Sequence, residues 1–197
     1  MAILRRNPSR VALMAIVALT VGVGGAYFAM PMHHSDTVAH RHGAHGGGHD
    51  EINMPGLRGE NASPAESEEI AVLFRGFDTI TREVTNLPNG IRTLTASTDQ
   101  TVMDALVNHS VGMIDRVSQL NDPKIIIQSP TLDIFFLRGD GISSNVEMTD
   151  AGLLVVQTSD DPELVAALQT HAAEVTAMAD KGMQAVHEMM IARAESQ

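Results

Sequence analysis

From residue 63 onward, apolar positions recur three or four residues apart, which is the period of an α-helix that faces a core. They stand at Ile70, Leu73, Phe74, Phe77, Ile80, Val84 and Leu87. Ser63, Pro64 and Glu66 supply the serine, first-turn proline and glutamate of a capping box, so the helix should begin there. The triplet Pro88-Asn89-Gly90 should end it.

Residues 91–97 alternate between apolar and polar side chains and are rich in β-branched residues, which predicts a β-strand. Asp99 then stands where it can cap a second helix. One stripe of that helix carries Val102, Leu106, His109, Met113 and Val117, and their spacing predicts that the stripe faces inward.

The same order recurs in the second half of the chain, at one constant offset and without a gap. Ten residues of the first half are identical to their counterparts in the second half. They are Phe74, Asp78, Ile80, Val84, Gly90, Ser97, Asp99, Ala105, Leu106 and His109, and their counterparts are Phe136, Asp140, Ile142, Val146, Gly152, Ser159, Asp161, Ala167, Leu168 and His171. This self-similarity predicts an internally duplicated helix–strand–helix unit, with one copy at about 70–120 and the other at about 132–192. The inner stripe of the later helix then carries Leu164, Leu168, His171, Val175 and Met178.

The first helix of the second copy is ambiguous. Gly139 and Gly141 each weaken a helix interior by about 1 kcal/mol. The segments IIIQ (125–128) and DIFFL (133–137), taken alone, favour two strands around a turn, which leaves residues 132–148 as either helix or hairpin. The duplication favours a helix with a kink near Gly139, and this is the interpretation that we adopt. The sequence thus predicts an α+β domain over 66–195. Its strands, 91–97 and 153–159, should pair antiparallel about a pseudo-twofold axis, as a two-stranded sheet with about four packed helices.

The N-terminus carries an export signal. Arg5, Arg6 and Arg10 precede a continuous apolar run at 11–30, long enough for a membrane-spanning helix. Residues 1–30 are therefore either a membrane anchor or a cleaved signal peptide. Both place the rest of the chain outside the inner membrane, in the periplasm of a Gram-negative cell.

Residues 31–65 are polar and glycine-rich and should form a disordered linker. Its run 33–50 holds six of the nine histidines of the chain: His33, His34, His40, His42, His45 and His49. Imidazoles on a flexible chain bind divalent metals weakly, so these histidines predict a low-affinity metal site. The alternative is a polar spacer between membrane and domain.

Two stretches, ITREVTNLPNGIRTLTASTDQ and VVQTSDDPELVAALQTHAAEV, followed by GMQAVHEMM, resemble a family of small exported bacterial proteins. Its members have a Met-, Gly- and His-rich N-terminal region and a duplicated unit marked by LPNG, SDDP and a following histidine. The resemblance covers about residues 70–190 and implies the duplicated fold and export, but no activity. Where that family often has histidines in the first helix of each copy, this chain has Gly76-Phe77 and Arg138-Gly139, so a site formed by those histidines would be incomplete.

Histidine and methionine at inward positions predict a metal site in the domain. The candidate ligands are His109, Met113 and His171, together with Met183 and His187, which the sequence places on one long last helix. Imidazole and thioether without thiolate favour copper, or another borderline ion such as zinc. Two alternatives stay open: histidines that only stabilise the core, and a facing pair whose pKa values respond to pH.

Composition narrows the function. The net charge of −11 disfavours nucleic acid as a partner, and the absence of cysteine excludes disulfides, thiolate metal sites and covalently attached haem c. No hydrolase or nucleotide-binding motif occurs, so neither catalysis nor a nucleotide cofactor is expected. We expect a non-catalytic envelope protein that binds or buffers a transition metal, copper first. The alternatives are a module that recognises another envelope protein or acts as a sensor and, more distantly, non-covalent haem binding.

Overall fold

Five α-helices and four β-strands follow one another along residues 54–195, the part of the chain that the computed structural model describes. The helices are α1 (Pro64–Arg75), α2 (Gln100–Ser118), α3 (Asp133–Arg138), α4 (Pro162–Lys181) and α5 (Met183–Glu195). The strands are β1 (Ile80–Leu87), β2 (Gly90–Ser97), β3 (Ser143–Thr149) and β4 (Gly152–Thr158). These elements belong to one compact unit, His49–Gln197, with apolar clusters of its own, as expected of a part that folds independently.

Two stretches of the chain have the same sequence of elements: helix, 3₁₀ turn, hairpin, helix. The 3₁₀ turns, Phe77–Thr79 and Gly139–Gly141, are separated by the same offset as the matched residues of the two copies. The starts of β2 and β4 are separated by this offset too, and so are the starts of α2 and α4. The offset found in the sequence therefore also relates the elements of the structure.

The four strands form one antiparallel sheet in the order β1-β2-β4-β3. The expected antiparallel pairing of residues 91–97 with 153–159 is confirmed, since β2 pairs with β4. Thr93 lies opposite Val155, which is its own equivalent in the second copy. The pseudo-twofold axis must therefore pass through this pair.

Glycine is required where each hairpin meets the other half of the sheet. Gly152 has φ of 129°, and a Cβ atom there would lie 2.5 Å from the carbonyl oxygen of Thr95. Gly90, its equivalent, makes the same close approach to the carbonyl of Gln157. A side chain at either position would push β2 and β4 apart.

The predicted two-stranded sheet was wrong because each copy contributes a whole hairpin. The first predicted helix ends at Arg75, and the residues from Ile80 to Leu87 are β1. The apolar residues of 80–87 fit helical spacing by chance, while the β-branched Ile80, Thr81, Val84 and Thr85 favour a strand. A two-residue loop, Pro88-Asn89, joins β1 to β2, and proline at its first position has the fixed φ that such a turn favours.

The interpretation of 132–148 as a kinked helix was also wrong in its second half. A short helix, α3, ends at Arg138, and a 3₁₀ turn at Gly139–Gly141 leads into β3. The two glycines end the helix rather than bending it. The hairpin alternative was wrong too, because it placed strands at IIIQ (125–128) and DIFFL (133–137). The DIFFL segment is helical, and the hairpin of this half pairs β3 with β4.

Two further expectations are corrected at the ends of the domain. The capping box of Ser63 and Glu66 is confirmed, but packing begins before the predicted boundary at 66, because Met54 and Leu57 are buried. The chain after α4 is not one long helix, since Gly182 with φ of 58° separates α4 from α5.

Within residues 54–195, no helix is long and apolar enough to cross a membrane. The predicted anchor or signal at 1–30 and the histidine-rich run at 33–50 both lie outside the described residues.

Candidate functional site

A cavity of about 320 Å³ lies between the sheet and the helices and is lined by residues of β1, β2, β4 and all five helices. The apolar core is divided around it into three clusters. The N-terminal cluster holds Met54, Leu57, Ile70 and Ala71. The α4 cluster holds Ile91, Phe135, Leu164, Leu168 and Ala172, and the α2 cluster holds Met103, Leu106, Leu153 and Val155. Each cluster contributes residues to the lining of the cavity.

The volume of this cavity lies at the lower end of the range of small-molecule sites, about 300–1,000 Å³. It would hold about ten water molecules at roughly 30 Å³ each. The cavity opens to solvent, so water can enter it. Its size therefore favours the binding of a small molecule.

Two histidines enter the cavity lining from equivalent positions of the two halves. His109 of α2 and His171 of α4 are each the tenth residue of their helix, and both line the cavity. Their inward position follows from the helical stripe that carries Leu106 in one copy and Leu168 in the other. The predicted inward orientation is therefore what the structure has.

His109 is held as a neutral imidazole. Burial lowers its pKa to about 4, the positive charge of His171 acts in the same direction, and Glu66 weakly opposes both. Its Nδ1 atom is enclosed and has no hydrogen-bond partner among the described residues. A buried nitrogen without a partner costs about 1–3 kcal/mol, so the position is unfavourable for stability alone.

His171 is oriented by a carboxylate. Its Nδ1 atom lies 3.5 Å from Oε2 of Glu174, and its ring makes a T-shaped contact with the ring of Phe135 at a centroid distance of 5.9 Å. Glu174 also accepts hydrogen bonds from the hydroxyls of Ser129 and Thr131, each at 2.8 Å. Burial raises the pKa of Glu174, but the hydrogen bonds from these three partners outweigh it and hold the pKa below its usual range.

Arg82 of β1 is the one lysine or arginine among the described residues that line the cavity. Its Nη1 donates to the hydroxyl of Thr95 on β2 at 2.7 Å, while its Nε is enclosed without an acceptor in the described part of the chain. Burial lowers the pKa of the guanidinium to about 10, so it stays charged at pH 7. Among residues 54–195 no carboxylate forms an ion pair with it.

The second half of the sheet has a neutral pair at the equivalent positions. Ser144 and Gln157 are the counterparts of Arg82 and Thr95, and Gln157 Nε2 donates to the hydroxyl of Ser144 at 3.1 Å. The same place in the fold is therefore compatible with uncharged, hydrogen-bonded side chains. The fold by itself does not require an arginine at position 82.

The lining of the cavity differs in charge from the rest of the chain. The net charge of the protein is −11, yet no aspartate or glutamate of the described residues lines the cavity. Within residues 54–195, two enclosed side-chain nitrogens lack a hydrogen-bond partner, and they belong to Arg82 and His109. Both residues line this cavity, so the unsatisfied polar groups are concentrated at one place.

The structure brings some of the predicted metal ligands together and leaves others apart. His109, Met113 and His171 line the cavity, as does Met178. Met183 packs against the N-terminal cluster instead, and His187 is exposed on α5. Over residues 54–195 no group of three or more histidine, cysteine, aspartate or glutamate side chains could hold a metal ion.

Arg82 was missed by the sequence analysis because its segment was assigned to a helix. The β-branched residues around it, together with the Asn89-Gly90 turn, would have placed it on a strand. With Ile80 two positions away on the inner face, the alternation then directs Arg82 into the domain.

Comparison of the chain with models of protein families, with curated proteins and with solved structures found no match.

Proposed function

We propose that residues 54–195 form a non-catalytic binding domain, which holds one small and largely apolar molecule in the cavity between the sheet and the helices. The observation that carries this proposal is the 320 Å³ cavity at the place where the three apolar clusters meet. Sites for small molecules are cavities of this size, mostly apolar, with a few polar groups directed inward. Here the ionisable groups of the described lining are Arg82, His109 and His171, and hydroxyl and amide side chains such as Thr95 and Gln157 accompany them.

The test is a titration with the neutral fluorescent probe N-phenyl-1-naphthylamine, which brightens in apolar surroundings. The protein is the compact unit 49–197, after a cooperative thermal transition has confirmed its fold. We expect saturable binding of one probe per chain, with no loss of the cooperative transition that would indicate a molten state.

A pair of alanines on α4 provides the matched variants. Ala179 lines the cavity, whereas Ala173 is exposed on the same helix. Ala179→Leu should weaken the binding of the probe by at least about tenfold, or about 1.4 kcal/mol, because the leucine side chain would occupy part of the cavity. Ala173→Leu should leave the affinity unchanged. Equal affinity in both variants, or no saturable binding by the parent protein, would contradict the proposal.

A transition-metal site is the second candidate, with copper before zinc. It is favoured by the presence of His109, His171, Met113 and Met178 in one cavity lining, a soft donor set. The carboxylate of Glu174 beside His171 is the partner that ligating histidines commonly have. Titration of the unit 49–197 with Cu(I) or Zn(II) should shift the resonances of both His109 and His171 together. Unchanged resonances would remove this candidate.

We further propose that this domain acts outside the inner membrane, where it is either anchored by residues 1–30 or released after their cleavage. The histidine-rich run 33–50 then links it to the membrane and collects metal ions weakly. The partner that we propose for the domain is another envelope protein. Fractionation of cells that express the full chain, with antibodies to the domain, tests the location, and the mass of the mature protein shows whether residues 1–30 are kept.

A further inference from the structure

The charge inside the cavity points to the chemical class of the bound molecule. Arg82 carries a positive charge at the inner face of the sheet, and its hydrogen bond goes to the neutral hydroxyl of Thr95. Arg82 is half-buried, and a charge that is largely withdrawn from water without a counter-charge is unfavourable. A group with a negative charge beside Arg82 would remove this cost, and the described residues of the lining include no carboxylate that could supply it.

Comparison of the two halves of the sheet shows whether the fold requires a charge at position 82. At the position equivalent to Arg82 the second half has Ser144, which accepts a hydrogen bond from Gln157. The two positions have the same strand geometry, so backbone requirements are the same for both. The charge at position 82 is therefore present in one half of the sheet and absent from the equivalent position of the other, and it faces the cavity.

The rest of the lining limits the remainder of the molecule. Around the cavity, side chains such as Leu106, Phe135 and Val155 provide apolar walls, and Arg82 is the single lysine or arginine that the described residues contribute. A ligand with one acidic group could pair with the one guanidinium, and the uncharged remainder of that ligand could pack against the apolar walls. A nucleotide or another polyanion would leave charges in apolar surroundings.

We propose that the cavity binds an organic monoanion with an apolar body, such as a carboxylate or sulfonate, with its acidic group beside Arg82. This proposal rests on the proposed function of the cavity. It adds the class of molecule and assigns Arg82 as the residue that selects it. It also explains how a chain with a net charge of −11 can bind an anion, because the acidic residues of the described part stand outside the cavity lining.

The experiment compares two probes that differ in one group. 8-Anilino-1-naphthalenesulfonate is N-phenyl-1-naphthylamine with a sulfonate added, so the ratio of their affinities reports the contribution of the negative charge. With the unit 49–197 we expect the sulfonate to bind at least about tenfold more tightly, as a charged hydrogen bond provides. Octanoate should displace the bound sulfonate at concentrations at least about tenfold lower than octanol does.

Variants of Arg82 test the assignment. Arg82→Gln should remove the preference for the sulfonate while the affinity for the neutral probe changes by less than about twofold, and Arg82→Lys should keep part of the preference. Arg82→Ser, which copies the residue at position 144, should behave as Arg82→Gln and serves if the glutamine variant does not fold. Arg92→Gln is the matched control, because Arg92 is exposed on the adjacent strand β2.

The outcomes separate the two proposals. Equal affinity of the parent protein for both probes, or a preference that survives in both Arg82→Gln and Arg82→Ser, overturns the assignment of an anion. In that case saturable binding of the neutral probe still supports the binding cavity. Failure of the neutral probe to bind, with or without binding of the sulfonate, overturns both proposals, because the anion proposal rests on the binding cavity.

Discussion

Acid should destabilise the domain through His109. Its pKa is about 4 in the folded protein, because of burial and then the charge of His171, against an ordinary value of 6.5. Between these two pH values the unfolded chain binds a proton that the folded domain does not. Stability is therefore complete above pH 6.5 and falls as the pH falls toward 4. A shift of this size corresponds to about 3 kcal/mol in total, and to about 2 kcal/mol between pH 7 and pH 4.5.

The substitution His109→Leu removes this proton linkage and places an apolar side chain among apolar neighbours. Urea unfolding of the unit 49–197 at pH 7 and at pH 4.5 measures the effect, with equal m-values as the check that the transition stays two-state. From pH 7 to pH 4.5 the parent protein should lose about 2 kcal/mol more than the variant. His187→Leu, which removes an exposed imidazole, should keep the pH dependence of the parent protein.

Two results would refute this reasoning. The first is a parallel loss of stability in the parent protein and in His109→Leu over this pH range. The second is a directly measured pKa above about 6 for His109, from its ring resonances. Either result would mean that the imidazole is solvated in the folded domain, and it would also remove the argument that its Nδ1 atom lacks a partner.

Three further predictions concern the scaffold. The side-chain hydrogen bond from Arg116 lowers the pKa of Glu66 to about 2 against the effect of burial, so the stability that Glu66 contributes is complete above about pH 4.5 and lost as the pH falls toward 2. Glu66→Gln should lower the free energy of unfolding by about 1 kcal/mol at pH 7, after allowance for solvent screening. Below pH 4.5 the free energy of unfolding in urea should depend less on pH in this variant than in the parent protein, and an unchanged pH dependence would contradict this. Gly152→Ala should destabilise the domain by about 2 kcal/mol or more, because φ is positive there and the new Cβ would meet a carbonyl oxygen. Gly112→Ala, in open space on α2, should stabilise the domain by up to about 1 kcal/mol. Thermal unfolding that ranks the two variants in the opposite order would refute the geometry. Leu168→Ala, at a side chain 1% exposed, should cost about 2–5 kcal/mol in the same assay, and a loss below about 1 kcal/mol would show that its cluster is not packed as described.

Local signals predicted the elements whose evidence lies within a few residues. The capping box at Ser63 and Glu66, the cap at Asp99 and the strand at 91–97 were all predicted, because each depends on short-range hydrogen bonds or alternation. The segment Ile80–Leu87 was assigned wrongly because its apolar spacing fits both periods over so short a length. Pairing with β2 decides between them, and pairing is a long-range interaction.

The inward position of His109 and His171 followed from the sequence alone, since helical periodicity sets the face of a side chain. The cavity did not, because a void is a property of how β1, β2 and β4 meet the helices rather than of any one element. Arg82 shows the difference most clearly. The sequence identifies residue 82 as a charged arginine, but its lack of a carboxylate partner among residues 54–195 depends on every residue that packs around it. Burial is decided by tertiary packing, and only burial makes a charge without a partner unfavourable enough to indicate a ligand.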